Sequence, residues 1–330
     1  MTVNKPKYAT RLNSFLVGAE AYWPGKNCVT TKDLLSRAAT VPDLNAADLN
    51  FPDHFVHESA SDLRAHLDTI GVELNGLAMR YYTDPRFKPG ALMNPDAAAR
   101  RAAIDLTKRG LDALAEMDGD LMTLWLGQDG FDYSFQSDYK KSWDDTLEAL
   151  GELADHNPAV QIALEYKPNE PRAYSLMPDV GTNLLALSEI GRANTGITID
   201  FAHVLYADEM PAHTVTIVNR YSRLLGVQMN DGYGKRDDGL IAGSVHPVQT
   251  VELLVELERC GYQRAIYFDT FPDVSALDPV EETRTNIMLV EALRSVAARL
   301  SADVRLASAI ERQDAALSQR IVAEALYRQA

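Results

Sequence analysis

The chain predicts an α/β fold, a single (β/α)8 TIM barrel, and three observations predict it. Eight apolar, β-branched runs alternate with eight amphipathic stretches along most of its 330 residues. Four of those runs end in a metal-ligand type of residue: Val160-Gln-Ile-Ala-Leu-Glu165, Thr195-Gly-Ile-Thr-Ile-Asp200, Leu224-Leu-Gly-Val-Gln228 and Ala265-Ile-Tyr-Phe-Asp269. The carboxyl ends of successive parallel strands are where α/β barrels build their active sites. No Gly-x-Gly-x-x-Gly follows the first run and no Pro/Gly/Ser linker divides the chain, which argues against a doubly wound or two-domain arrangement.

The elements follow in order. Strands are expected at Ser14–Tyr22, Ala46–Phe51, Val72–Met79, Asp120–Leu126, Val160–Tyr166, Thr195–Asp200, Leu224–Met229 and Arg264–Asp269, each a short apolar run of the kind buried on both faces. Helices are expected at Thr31–Ala39, Ala60–Ile70, Pro95–Met117, Tyr139–Asp155, Pro178–Ile190, Met210–Tyr221, Pro247–Cys260 and Pro279–Leu300. Asn94-Pro95 and Asp278-Pro279 place a cap-type residue before a first-turn proline. Residues 1–300 then form the catalytic barrel, and 301–330 a helical extension with apolar Val304, Leu306, Ile310, Leu317, Ile321 and Leu326. Such an extension packs over the barrel or makes a subunit contact, and a homo-oligomer is slightly favoured.

Composition narrows the function. Hydrophobic content of 46% with 24% charged residues is that of a globular protein. A formal charge of −15 disfavours nucleic acid or an anionic membrane as partner. Cys28 and Cys260 are the two cysteines, too few for a disulfide framework and outside any CxxC. With no signal-peptide core and no stretch approaching the ~20 apolar residues of a membrane span, a cytoplasmic protein is expected.

The strand-end residues form one oxygen-rich set, Glu165, Asp200, Gln228 and Asp269, suited to Mn²⁺ or Mg²⁺. Lys167 lies two residues beyond Glu165 and points the same way, to pair with it or to contact a substrate oxygen. His203 stands three residues after Asp200, on one face if a helix starts there. Asp200 alone would be a helix cap, and Gln228 alone a buried amide. Gln228 and Asn230 share a face, and Asn230 is assigned to the substrate. Asp237 and Asp238 lie in a Gly-rich loop after the seventh strand, as solvated surface or as a second-metal or substrate contact. His246 starts the next helix or meets substrate. After the fourth strand, Trp125, Gln128, Asp129, Asp132 and Tyr133 combine rings, an amide and carboxylates, a set suited to a polyol. Trp23 is a possible addition to that wall.

At these motifs the chain resembles the xylose-isomerase-like TIM-barrel superfamily, and among it the L-rhamnose-isomerase-like sugar isomerases and epimerases. The shared residues are Glu165-Tyr-Lys-Pro with Glu170-Pro171, Asp200-x-x-His203, Asp237-Asp238-x-Leu240 with Gly243-Ser244, Asp269, and Leu124-Trp-Leu-Gly-Gln-Asp-Gly130. The resemblance implies a divalent metal, Mn²⁺ before Mg²⁺, Co²⁺ or Zn²⁺, held by Glu165, Asp200 and Asp269. It implies that His203 and Asp238 hold or approach a second, catalytic ion and that Lys167 contacts substrate. Gln228 departs from the family, which commonly has His there. The implied activity is a sugar isomerase or epimerase working by proton transfer next to a sugar carbonyl. The alternative is the catalytic subunit of a C-glycoside deglycosidase, a lyase that eliminates from 3-keto glycosides and pairs with a small second subunit. A non-catalytic sugar-binding barrel and a phosphodiester-cleaving barrel are the lesser expectations.

Overall fold

The computed structural model describes residues 6–327. Eight parallel strands run through it: β1 (Tyr8–Thr10), β2 (Ala46–Phe51), β3 (Glu73–Met79), β4 (Leu121–Trp125), β5 (Gln161–Glu165), β6 (Thr195–Asp200), β7 (Leu224–Met229) and β8 (Ile266–Phe268). They pair in the order β1-β8-β7-β6-β5-β4-β3-β2. The ring is closed by a single parallel bridge between Arg11 and Asp48. Asn45 braces that joint, its side-chain oxygen accepting from the Tyr8 N–H at 2.8 Å and its own N–H donating to the Tyr8 carbonyl at 3.2 Å.

Helices wrap the outside: α1 (Thr31–Ala38), α2 (Ala60–Ile70), α3 (Ala97–Glu116), α4 (Tyr139–His156), α5 (Val180–Ile190), α6 (Pro211–Tyr221), α7 (Pro247–Arg259) and α8 (Pro279–Ser301). Their starts are chemically marked. Thr30 with Asp33 and Ser59 with Asp62 form reciprocal capping boxes, and Asp138, Asp179 and Asp278 accept from first-turn N–H groups. Helix α3 starts at Ala97 behind an Asp96 cap, not at Pro95. Asn94 is occupied elsewhere, its amide donating to the Arg86 and Gly90 carbonyls.

Strand alternation sorts the side chains. Leu49, Leu77, Met79, Leu124, Leu164, Ile197, Ile199, Val227 and Phe268 face the helices in one continuous apolar core. The opposite set points into the barrel and ends in polar residues at the carboxyl edge. That edge is the candidate site.

One expected element is replaced. Ser14–Tyr22 is not a strand: Leu12–Leu16 is a 3-10 helix and Ala19–Tyr22 a single α-turn, separated by Gly18 in the left-handed region at φ 68°. The true first strand has only three residues, registered Tyr8↔Ile266 to Thr10↔Phe268. That is too short to leave an apolar run in the sequence. Phe15 reads as a strand residue because the core buries it, with Leu12, from a 3-10 turn. Trp23 packs against the core beneath the Arg37 guanidinium, 5.6 Å from its ring.

Beyond the barrel, α9 (Val304–Glu311) and α10 (Ala315–Tyr327) fold back on α8. Ile321 is buried in the core and Leu306, Leu317 and Leu326 pack against it, while the Arg299 guanidinium donates to the Ala325 carbonyl at 2.9 Å. Val304 and Ile310 stay exposed. Among the described residues no helix is long and apolar enough to cross a membrane.

Candidate functional site

Glu165 and Asp200 end β5 and β6, and both are buried. Asp200 does double duty: one oxygen caps the short helix Phe201–Tyr206 by accepting from the His203 N–H at 2.9 Å. That turn brings the His203 ring back over the strand end. Its Nδ1 lies 3.5 Å from Glu165 Oε1 and 3.9 Å from Asp200 Oδ1. Ligand atoms of Glu165, Asp200 and His203 all fall within 4.8 Å of one another.

Gln228 and Asp269 complete the floor. Gln228 Nε2 donates to Glu165 Oε2 at 2.9 Å, which leaves its Oε1 buried without a partner. Asp269 Oδ1 is likewise buried without a hydrogen bond, its nearest cation being Arg11 Nε at 3.9 Å. His203 Nδ1 and Asp237 Oδ1 are also unpartnered. Unmatched buried acceptors are costly; of these residues His203 belongs to the close group with Glu165 and Asp200, and Gln228 is hydrogen-bonded to Glu165.

Electrostatics point the same way. Burial drives the Glu165, Asp200 and Asp269 carboxyls upward, with neighbouring carboxylates adding to the rise. The His203 imidazole is raised to about 10: burial opposes the charged ring, and Asp200 and Asp237 overcome it. Asp237 is held well below the usual range, because His203 and Lys167 outweigh its burial. A divalent cation reverses the first effect, drawing the carboxylates to the charged form. The donor set therefore fits a hard divalent ion.

His203 links this floor to a second set of polar contacts. His203 Nε2 and Lys167 Nζ each stand 3.1 Å from Asp237 Oδ2. Lys167 also meets Glu170 Oε2 at 3.0 Å and lies 5.5 Å from the Trp125 ring centroid. It does not pair with Glu165. Glu170, itself at φ 64°, accepts from the Asp237 N–H at 3.3 Å. Trp125, Glu165, Lys167 and Glu170 line one cleft.

Several expected site residues have their polar groups engaged by other partners or lie apart from the cluster. Asp238 turns back on its own loop, taking the Tyr233 N–H at 2.8 Å and Arg236 Nε at 2.7 Å; Asp237 is the one that reaches His203. Asn230 has no group left for substrate: its oxygen accepts from the Ala202 N–H and its nitrogen donates to Asp200 and the Asp269 carbonyl. It buttresses two strand ends. Asp129 is buried and accepts from the Ala91 and Met93 N–H groups, its pKa pushed up to about 6 by burial against those bonds. It ties down the 90–93 loop. His246 Nδ1 is 2.7 Å from buried Asp231, in a network separate from Asp200 and Glu165. Tyr133 projects into solvent, and Asp132 pairs with Arg172 at 3.1 Å. Gln128 is half-buried in the loop after β4.

Glu170 belongs with Pro171 to the shared motif but is given no role at the site by the sequence; its place three residues after Lys167 is the signal for one.

A family model for the xylose isomerase-like TIM barrel matches residues 40–293. The xylose isomerase of Thermus thermophilus is 30% identical over 209 residues, 62% of this chain and 54% of that protein. The xylose isomerase of Thermus caldophilus is 28% identical over the same shares. The chain thus spans about half the length of the curated relatives it matches. A D-tagatose 3-epimerase-like protein superposes with a TM-score of 0.68 at 16% identity, covering 90% of this chain and 100% of that one. A D-psicose 3-epimerase structure gives 0.66 at 14% identity, covering 87% and 99%. An L-ribulose 3-epimerase gives 0.67 at 13%, covering 89% and 95%. Strand order, strand-end carboxylates and a family match over most of the barrel agree: the chain belongs to the xylose isomerase-like TIM barrel family.

Proposed function

We propose that the protein is a divalent-metal-dependent sugar isomerase or epimerase, acting by proton transfer at the carbon next to a sugar carbonyl. One observation carries this reading: Glu165, Asp200 and His203 converge within 4.8 Å, beside the unpartnered oxygens of Gln228 and Asp269. The xylose isomerases and ketose 3-epimerases among its relatives support the reaction class.

In this reading Glu165, Asp200 and Asp269 hold the ion, with Gln228 Oε1 as a neutral fourth ligand. An oxygen set of this kind favours Mn²⁺ or Mg²⁺. The ion would polarise the carbonyl and stabilise the negative charge developing on its oxygen. His203 and Asp237 give and take the proton at the neighbouring carbon. Lys167 keeps Asp237 ionised and donates to a substrate oxygen, and the Trp125 ring packs against the sugar's C–H face. Asn230 and the Phe201–Tyr206 helix fix Asp200 so that none of this requires rearrangement. The barrel of residues 1–300 carries the chemistry. The free thiols Cys28 and Cys260 suit a reducing, cytoplasmic setting.

The test is metal analysis combined with a panel of free aldoses and ketoses. The purified protein is expected to retain Mn²⁺, Mg²⁺, Co²⁺ or Zn²⁺, to lose isomerase or epimerase activity in EDTA, and to recover it on adding Mn²⁺. Glu165→Gln is expected to abolish binding of the ion while the circular-dichroism spectrum stays that of the parent. A protein that binds none of these ions and converts no sugar in their presence refutes the assignment.

A further inference from the structure

Arg80 directly follows β3, and its N–H still donates to the Phe51 carbonyl at 2.9 Å as a strand residue would. Leu77 and Met79 lie in the helix-facing core, so alternation turns Arg80 into the barrel mouth. Its guanidinium carbon lies 6.0 Å from the Tyr82 ring centroid, and Tyr82 meets Trp125 edge-on at 6.1 Å. Arg80 therefore sits along one aromatic wall from Lys167.

The other cations named at this face are matched. Lys167 has Asp237 and Glu170, Arg11 has Asp273 and Asp269, Arg172 has Asp132 and Arg236 has Asp238. Arg80, among the described residues, has no carboxylate within 4.0 Å, and its buried Nε has no hydrogen-bond partner. It feels Asp48, Asp53, Glu165 and Asp269 from a distance. Two of those, Glu165 and Asp269, are the carboxylates assigned to the ion. Their charge is answered there, which leaves the guanidinium for a further anion.

We propose that Arg80 is a substrate-binding residue that receives a carboxylate carried by the sugar, so that the site takes sugar acids in preference to neutral sugars. The inference rests on the isomerase or epimerase reading of the site. A guanidinium presents a planar pair of donors that matches a carboxylate. A phosphate bears nearly twice the charge and calls for a second free cation, whereas the neighbouring ones are already paired.

Calorimetric titration of the Mg²⁺-loaded protein with D-glucuronate, D-glucose and D-glucose 6-phosphate tests this. The parent is expected to bind D-glucuronate about tenfold or more tightly than D-glucose. Arg80→Met is expected to weaken D-glucuronate binding by about 10- to 100-fold and to leave D-glucose unchanged. Arg80→Lys retains the charge without the fork and recovers part of the loss, which keeps the test decisive if Arg80→Met is poorly folded. Equal affinity of the parent for glucose and glucuronate, or an Arg80→Met variant that holds glucuronate as before, overturns the proposal and leaves the isomerase reading standing. Preference for D-glucose 6-phosphate that is lost in Arg80→Met overturns the carboxylate assignment. Binding of none of the three overturns the proposal and leaves the isomerase reading to its own test with metal and the wider sugar panel.

Discussion

Two adjacent aspartates follow Arg236, and backbone direction gives them different tasks. Asp237 Oδ2 faces His203 and Lys167, while Asp238 is held by Arg236 and the Tyr233 N–H. If the pair His203–Asp237 moves the proton, Asp237→Asn lowers kcat by about 100-fold or more. Asp238→Asn, which alters only the loop's own bonds, changes it by no more than about threefold. Steady-state rates on the isomerised sugar separate the two, and equal losses would contradict the geometry. The floor of the site was legible because Glu165, Asp200, Gln228 and Asp269 end apolar runs, and strand alternation has a fixed period. The choice between Asp237 and Asp238 was not legible, since a loop has no period to orient its side chains. Asn230 and Asp129 misled for another reason. Both are polar residues in the right place whose hydrogen bonds go to backbone and to other ligands, a distinction that only three-dimensional satisfaction reveals.

Among the elements, the long helices and seven of the strands announced themselves by period and by caps, and the three-residue β1 did not. The antiparallel ribbon that joins Gly130–Phe131 to Tyr174–Ser175 was also invisible in the sequence, being two residues per side. It fastens the loop after β4 to the loop after β5, with the Arg172 guanidinium donating to the Gly130 carbonyl at 3.1 Å. Gly130 allows the close approach, because a Cβ there would lie 2.1 Å from the Tyr174 carbonyl oxygen. Gly130→Ala therefore forces the ribbon apart. A destabilisation of about 1–3 kcal/mol is expected, read as a lower Tm together with faster proteolytic cleavage within residues 126–138. An unchanged cleavage rate would show that the ribbon does not restrain the loop.

At the scale of the molecule, the barrel interior holds a carboxyl far from solvent. Asp48, at the joint where the ring closes, donates nothing when ionised and is pushed up to about 7 by burial, with Asn75 pulling the other way from 2.6 Å. A carboxyl raised in the folded state favours folding in its neutral form. Its contribution is complete below its unfolded value of about 3.9 and is lost as pH rises through about 7. Without added metal, the Tm of the parent is expected to fall between pH 5 and pH 8. Asp48→Asn, neutral throughout, reduces that fall by about 2–4 °C; thermal melts across the range measure it, and parallel curves for the two proteins would refute the assignment. The same barrel divides its residues between strands and loops. Glu165, Asp200 and Gln228 belong to paired strands and Asp269 to the residue after one, whereas Asp237, Glu170 and the β4–β5 ribbon belong to connections. Connections vary more among homologues in general than the elements they join. A lineage can rewrite the connections, and with them the choice of substrate, while inheriting the strand-end carboxylates intact, so new specificities would arise here by exchanging loops on a constant ring.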